Sequence, residues 1–335
     1  MLRLFDIRRY RTLDIVIVVV AVLVLATGAF LGFTLWRQSQ QVVQSTPAAR
    51  AIDALIAEVR KNPNNVDIRM QLAQALSVAG RNDEAVKQYQ ELLKINEDFV
   101  PALSGIGFEA MKRQDWKTGE TYFKQVIDLL EGNGKPTQSL ETAYFYLGNA
   151  YMEQKRYEDA VGAFKAALRI RRDASDTYFL LANSYKQLEL PDAQREALDN
   201  ALTFDPKMPE ANFEYGLLEL AAGNKASAAE HFRAAADAAP GEPLPLEQLD
   251  KFGEAAPYLA KAKALVKSDR KAALEQARIA VAIEPRDVAA VIYLGKLYQG
   301  NLMRTEAAEM FRRALVLDPE NAEAKAALKA VTDGS

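Results

Sequence analysis

A period of 34 residues governs most of this 335-residue chain. Similar units begin at Val66, Val100, Glu141, Ser175, Pro209, Glu254 and Val288. Four of the six spacings are 34, and the other two, 41 and 45, are one period plus an insertion. A unit of this length makes one helical hairpin, which cannot bury its own apolar face. Stacking successive units is what completes a core, so the period dictates an elongated array.

The chemistry inside each unit agrees with that reading. Positions seven and eight pair a large apolar with a small residue: Leu72-Ala73, Ile106-Gly107, Leu147-Gly148, Leu181-Ala182, Tyr215-Gly216 and Leu294-Gly295. Position twenty is alanine at Ala85, Ala160, Ala228, Ala273 and Ala307, with Gly119 and Gln194 departing. Position twenty-four is aromatic at Tyr89, Phe123, Phe164, Phe232 and Phe311. Small residues at eight and twenty let two antiparallel helices approach, and the large ones fill what remains. Pro206, Pro240, Pro285 and Pro319, each at position thirty-two, stop the second helix.

The period and the pattern together resemble the tetratricopeptide repeat family, most closely over Glu141–Ala174 with Leu147, Gly148, Tyr151, Tyr157, Ala160, Phe164 and Ala167. The resemblance covers residues 66–321 and implies an all-α fold, a right-handed superhelical solenoid of antiparallel helix hairpins. Residues 66–242 are read as hairpins one to five and 254–321 as hairpins six and seven. The sixth is the weakest, with Ala260-Lys261 at positions seven and eight and Pro257 in its first turn. Thr46-Pro47 reads as an N-cap and first helical position, opening a leading helix that runs to about Lys61 within residues 48–65. A capping helix is expected over 322–335. Residues 131–140 read as a loop. The insertion 243–253 reads as a break, with a hinge there as a hypothesis.

Ahead of the array, Ile15 to Trp36 is an uncharged run of 22 residues. As a helix it would span about 33 Å, enough to cross a bilayer core. Arg3, Arg8, Arg9 and Arg11 precede it, whereas Arg37 and Arg50 are the only cations soon after it. That asymmetry predicts a cytoplasmic tail (1–14), one transmembrane helix (15–36), a linker (37–47) and an array outside the inner membrane. Cleavage as a signal peptide at Ala26-Thr27-Gly28 is the rival reading, and it also exports the array. Gly28 and Gly32 form a GxxxG pair that would suit a dimer of such helices.

In the family the first helices of the hairpins line a concave groove. Carried over by position, the resemblance implies a protein-binding groove of Met70, Phe108, Phe145, Asn149, Met152, Phe179, Asn183, Lys186, Phe213 and Tyr258. Aromatics would grip apolar side chains of a partner segment, and asparagine amides would bond its backbone. Position five lacks lysine in every unit, which argues against the clamp for a C-terminal carboxylate found in some members.

Little else suggests chemistry. The chain has no cysteine and one histidine, His231, so thiolate chemistry and histidine-pair metal sites are absent. His231 reads as a partly exposed helix residue. Glu141 and the pair Glu158-Asp159 read as solvated or first-turn charges, and Arg169-Ile170-Arg171-Arg172-Asp173 as a cluster ending a helix, where cations are favourable, with a basic patch for a phosphate or lipid headgroup as the alternative. No phosphate loop or nucleophile motif occurs, so no enzyme and no cofactor is expected. A net charge of −3 gives no reason to expect nucleic acid as a partner. The expected partners are proteins or peptide segments, and the expected role is a membrane-anchored scaffold in envelope assembly or secretion. The alternatives are a structural subunit of a fixed complex and a cytoplasm-facing anchored regulator.

Overall fold

The computed structural model describes residues 20, 22, 24–37, 46–132 and 137–332. From Pro47 to Thr332 the described residues form helices joined by short turns, with no strand among them. The chain forms two compact units, residues 1–129 and 130–335.

In the first unit the leading helix is Pro47–Lys61. Thr46 caps it as expected, its hydroxyl oxygen accepting from the Ala49 N–H at 3.1 Å. Hairpin one pairs Val66–Val78 with Asn82–Ile95, and hairpin two pairs Val100–Lys112 with a helix that starts at Trp116. Ile52 and Val59 of the leading helix share one core with Leu72, Leu76, Tyr89, Leu92 and Ile106. Covering the first hairpin in this way is what an end helix contributes to an array.

The second unit holds hairpin three (Gln138–Glu153 and Tyr157–Ile170), hairpin four (Ser175–Gln187 and Pro191–Phe204) and hairpin five (Pro209–Ala221 and Lys225–Ala238). Hairpin six (Ala255–Leu265 and Arg270–Ile283), hairpin seven (Val288–Gly300 and Arg304–Leu317) and the end helix Ala322–Thr332 complete it. Within it the second helix of a hairpin packs on the first helix of the next, as at three to four, four to five and six to seven.

The small-against-large rule is visible atom by atom. A Cβ added to Gly148 would lie 2.6 Å from Phe164 Cε1, and one added to Gly295 would lie 2.6 Å from Phe311 Cε1. Both rings are fully buried, so position eight of these two hairpins has no room for a side chain. The turn inside the hairpin follows its own rule. Position fifteen has positive φ at Gly80, Gln114, Lys155, Glu189, Gly223 and Leu302.

The structure differs from the expectations at several places. The stretch 131–140 is not all loop: one helix continues to Glu131 and the next begins at Gln138, because the Thr137 hydroxyl accepts from the Leu140 N–H at 3.2 Å. Residues 133–136 of that stretch lie outside the described residues. Within 243–253, Pro243–Asp250 forms a helix, and Leu249 enters a core with Phe232 and Ile279. There the second helix of hairpin five packs on the second helix of hairpin six. The first helix of hairpin six is also shifted by one residue, while its second helix keeps Ala273 buried at position twenty. Lys261 is exposed where a small residue was expected, and Ala262 fills the buried position.

Near the N-terminus, residues 24–37 are helical with apolar side chains exposed. Among the described residues no helix is long and apolar enough to cross a membrane. The tail 1–14, residues 15–19, 21 and 23 of the expected span, most of the linker and residues 333–335 lie outside the described residues. Gly28 and Gly32 have open space where a side chain would stand.

Candidate functional site

The expected groove residues fall on first helices of the hairpins, at spacings that share a helix face. Phe145, Asn149 and Met152 are i, i+4 and i+7 on one helix, and Phe179, Asn183 and Lys186 repeat this on the next. Met70 and Phe108 belong to the first unit, the other eight residues to the second. All ten are half-buried except Lys186, which is exposed.

Packing already uses part of the aromatic row. Phe108 meets the buried Phe123 at 5.3 Å between ring centres, Phe145 meets Phe164 at 6.3 Å, and Phe213 meets Phe232 at 5.8 Å. Edge-on and tilted contacts of this kind stabilise aromatic pairs beyond their buried area. Phe179 differs because position twenty-four of its hairpin is Leu198, so no aromatic at that position takes its face. Met70 packs on the core of hairpin one.

Two of the polar members, Asn149 and Lys186, are held by polar contacts. Asn149 Nδ2 donates to the Phe145 carbonyl at 3.2 Å. Lys186 Nζ lies 2.6 Å from Glu214 Oε2 and links hairpins four and five. Glu214 was not among the expected groove residues. Its signal was its place directly after Phe213, on the helix facing Lys186. Tyr258 is placed differently from the others. Its hydroxyl donates to the Phe252 carbonyl at 3.0 Å, and its ring joins Phe213 and Leu217 in the core beside the helix Pro243–Asp250.

Glu141 is more buried than its sequence context suggested, and Glu109 and His231 are also held by partners. Glu141 is buried and accepts from Arg171 Nε at 3.1 Å, so it is an ion-pair partner and not a solvated first-turn charge. Glu109 is almost fully buried, accepting from Ser77 Oγ and, at 2.9 Å, from Lys112 Nζ. His231 stacks on Tyr215 at 4.3 Å, with Nδ1 3.0 Å from Asn212 Oδ1. Burial first, and then the nearby Arg278 charge, lower its pKa from 6.5 to about 4 despite Asp199. It is therefore neutral near pH 7 and structural in its contacts. No group of three His, Asp or Glu residues able to hold a metal occurs among the described residues.

Comparison with known proteins agrees with the geometry. Residues 45–103 and 179–243 match the family described as tetratricopeptide repeat, and residues 141–189 match the one described as TPR repeat. The chain is 26% identical over 155 residues to the TPR repeat-containing protein YpiA of Bacillus subtilis, covering 46% of this chain and 35% of that protein. It is 26% identical over 151 residues to a DnaJ homolog subfamily C member 7 homolog of Schizosaccharomyces pombe, covering 44% and 26%. The chain thus spans only about a third, or less, of the length of these relatives. Among solved structures, YrrB, titled a TPR protein with an unusual peptide-binding site, shows 16% identity and a TM-score of 0.49, covering 59% of this chain and 98% of that one. A fragment of MamA from Desulfovibrio magneticus RS-1 shows 20% identity and a TM-score of 0.48, covering 53% and 97%.

Proposed function

From the premise that this chain carries tetratricopeptide repeats, we propose that it is a non-catalytic scaffold that grips extended segments of partner proteins on the first helices of its hairpins. The observation that carries this reading is the repeated triad Phe145-Asn149-Met152 and Phe179-Asn183-Lys186 on adjacent first helices. Each triad offers an apolar surface, an amide and an adaptable long side chain, which suits a peptide whose side chains and backbone must both be held. The Lys186–Glu214 pair adds a cation that a partner carboxylate could share.

The scaffold is held at a membrane by residues 15–36, with the N-terminus inside and the array outside. The uncharged run and the arginines ahead of it support this reading. So does the exposure of Val24, Leu25, Phe30, Leu31 and Trp36 on the described part of that helix, since so much contiguous apolar surface is costly in water. Envelope assembly or secretion is the setting such a topology would serve.

The test is a C-terminal tag in the native host, with crosslinking in intact cells, detergent extraction and protease treatment of spheroplasts. The reading expects membrane-bound protein, a tag digested from outside, and envelope partners lost on Phe145→Ala with Phe179→Ala. A soluble chain or a protected tag would refute the anchored topology. Partners retained by the folded double variant would refute the groove.

A further inference from the structure

The second helices of hairpins three and four, Tyr157–Ile170 and Pro191–Phe204, stand either side of an open cleft of about 970 Å³. That volume is at the upper end of clefts that hold ligands, roughly 300–1,000 Å³. The first helix of hairpin four forms its floor with Leu181 and Tyr185.

The two walls differ in charge. Lys165 and Arg169 line one wall a helical turn apart, and Arg172 follows in the turn just past the helix end at Ile170. All three are exposed, and none is within ion-pair distance of an acidic side chain among the described residues. Their neighbour Arg171 points elsewhere, to Glu141 and Asp176. Lys165 Nζ stands 5.5 Å from the centre of the Tyr185 ring. The other wall carries Glu196 and Asn200 and ends in Phe204, which is 45% exposed and stacked on Tyr178 at 5.9 Å.

We infer that this cleft is a second docking site, which takes an acidic peptide segment of a partner protein bearing an apolar anchor. Three unpaired cations in a chain of net charge −3 mark a surface built for negative charge. Three cations on one wall suit several carboxylates carried on one segment better than a single compact anion. The stacked Tyr178 and Phe204 rings offer a face to an apolar side chain at the far end. Glu196 repels a carboxylate from the opposite wall and so sets the direction in which the segment lies. The site uses second helices, so it is separable from the groove on the first helices and can be occupied with it.

The full chain in detergent micelles is titrated against a fluorescein-labelled dodecapeptide with glutamates flanking a central Leu-Trp pair, and anisotropy is read. The same peptide with every glutamate replaced by glutamine and phosphatidylserine-rich vesicles are titrated alongside. Expected is binding of the acidic peptide that weakens with salt and by about tenfold in Arg169→Gln with Arg172→Gln, two charge-assisted contacts being removed. Glu196→Gln is expected to tighten binding, a direction that misfolding would not produce. Asn149→Ala with Asn183→Ala is expected to leave binding unchanged, which keeps a failure of the groove distinct from a failure of the cleft. Absent binding, equal binding of the glutamine peptide, insensitivity to the arginine substitutions, or binding to vesicles alone would each overturn the inference.

Discussion

Replacing Gly148 by alanine tests the packing rule on which the repeat rests. Alanine in a helix interior is favoured over glycine by about 1 kcal/mol. Here, however, its Cβ would lie 2.6 and 2.7 Å from Cε1 and Cδ1 of Phe164. That ring is fully buried, and Phe145 lies edge-on to it at 6.3 Å, so it has no free direction in which to move. Overpacking of this kind costs about 1–3 kcal/mol, so Gly148→Ala should be neutral to destabilising by about 2 kcal/mol. Phe164→Ala alone should cost about 3–5 kcal/mol through lost burial and the cavity left behind. In that background the added methyl meets space, and Gly148→Ala should stabilise by about 1 kcal/mol. The double-mutant cycle should therefore show a favourable coupling of about 1–3 kcal/mol. Urea titration followed by circular dichroism measures it, and amide exchange across residues 138–170 locates it. An equal effect of Gly148→Ala in both backgrounds would refute the assignment of these two residues as packing partners.

Three further outcomes are expected. His231 titrates at about 4 in the fold against 6.5 ordinarily, so the unfolded chain takes up the proton first; its contribution to stability is complete above pH 6.5 and drains away down to about pH 4. The loss is about 3 kcal/mol, and unfolding of wild type and His231→Phe at pH 7 and pH 4 should show a smaller drop in the variant. Leu302, with φ of 63° and its side chain 84% exposed, bears left-handed strain with little packing in return. Leu302→Gly should raise stability by about 0.5–1 kcal/mol in a thermal melt. At the junction of hairpins five and six, Arg233 donates from Nε to the Ala282 carbonyl at 2.7 Å and from Nη2 to the Ile283 carbonyl at 2.9 Å. A hinge at 243–253 would have to break these bonds, so Arg233→Ala should broaden the small-angle scattering distance distribution, and an already broad wild-type distribution would favour the hinge.

Much of the fold was legible because the repeat writes the same packing constraint again and again. Gly148 against Phe164 and Gly295 against Phe311 are steric statements, and the residue types alone carry them. The intrahairpin turn was illegible for the opposite reason. Position fifteen has positive φ at six places, yet only Gly80 and Gly223 are glycine there, because Gln114, Lys155, Glu189 and Leu302 accept the strain. The first helix of hairpin six was misregistered because Ala260 and Ala262 flank Lys261, and sequence cannot choose which alanine faces the partner helix. The helix Pro243–Asp250 was hidden by two prolines, although both fall in its first turn, where the missing N–H costs nothing.

The contacts of the first-helix residues were not legible in the sequence. Phe145 and Asn149 are half-buried and share one helix face. That Tyr258 would pack against the same core as Phe213 depended on the altered stacking at the fifth and sixth hairpins, which no local pattern encodes. Glu141 likewise looked like a solvated charge until Arg171, thirty residues on, was brought beside it.

The account's central claim is that partners lie along the first helices of the hairpins. A photo-crosslinking amino acid placed at Asn149 or Asn183 in the full chain, with Glu158 on a second helix as control, tests it most directly. Irradiation in the native host should give the same discrete adducts from both asparagine positions and none from Glu158. Adducts from Glu158 alone, or none from either asparagine in a folded chain, would contradict the claim.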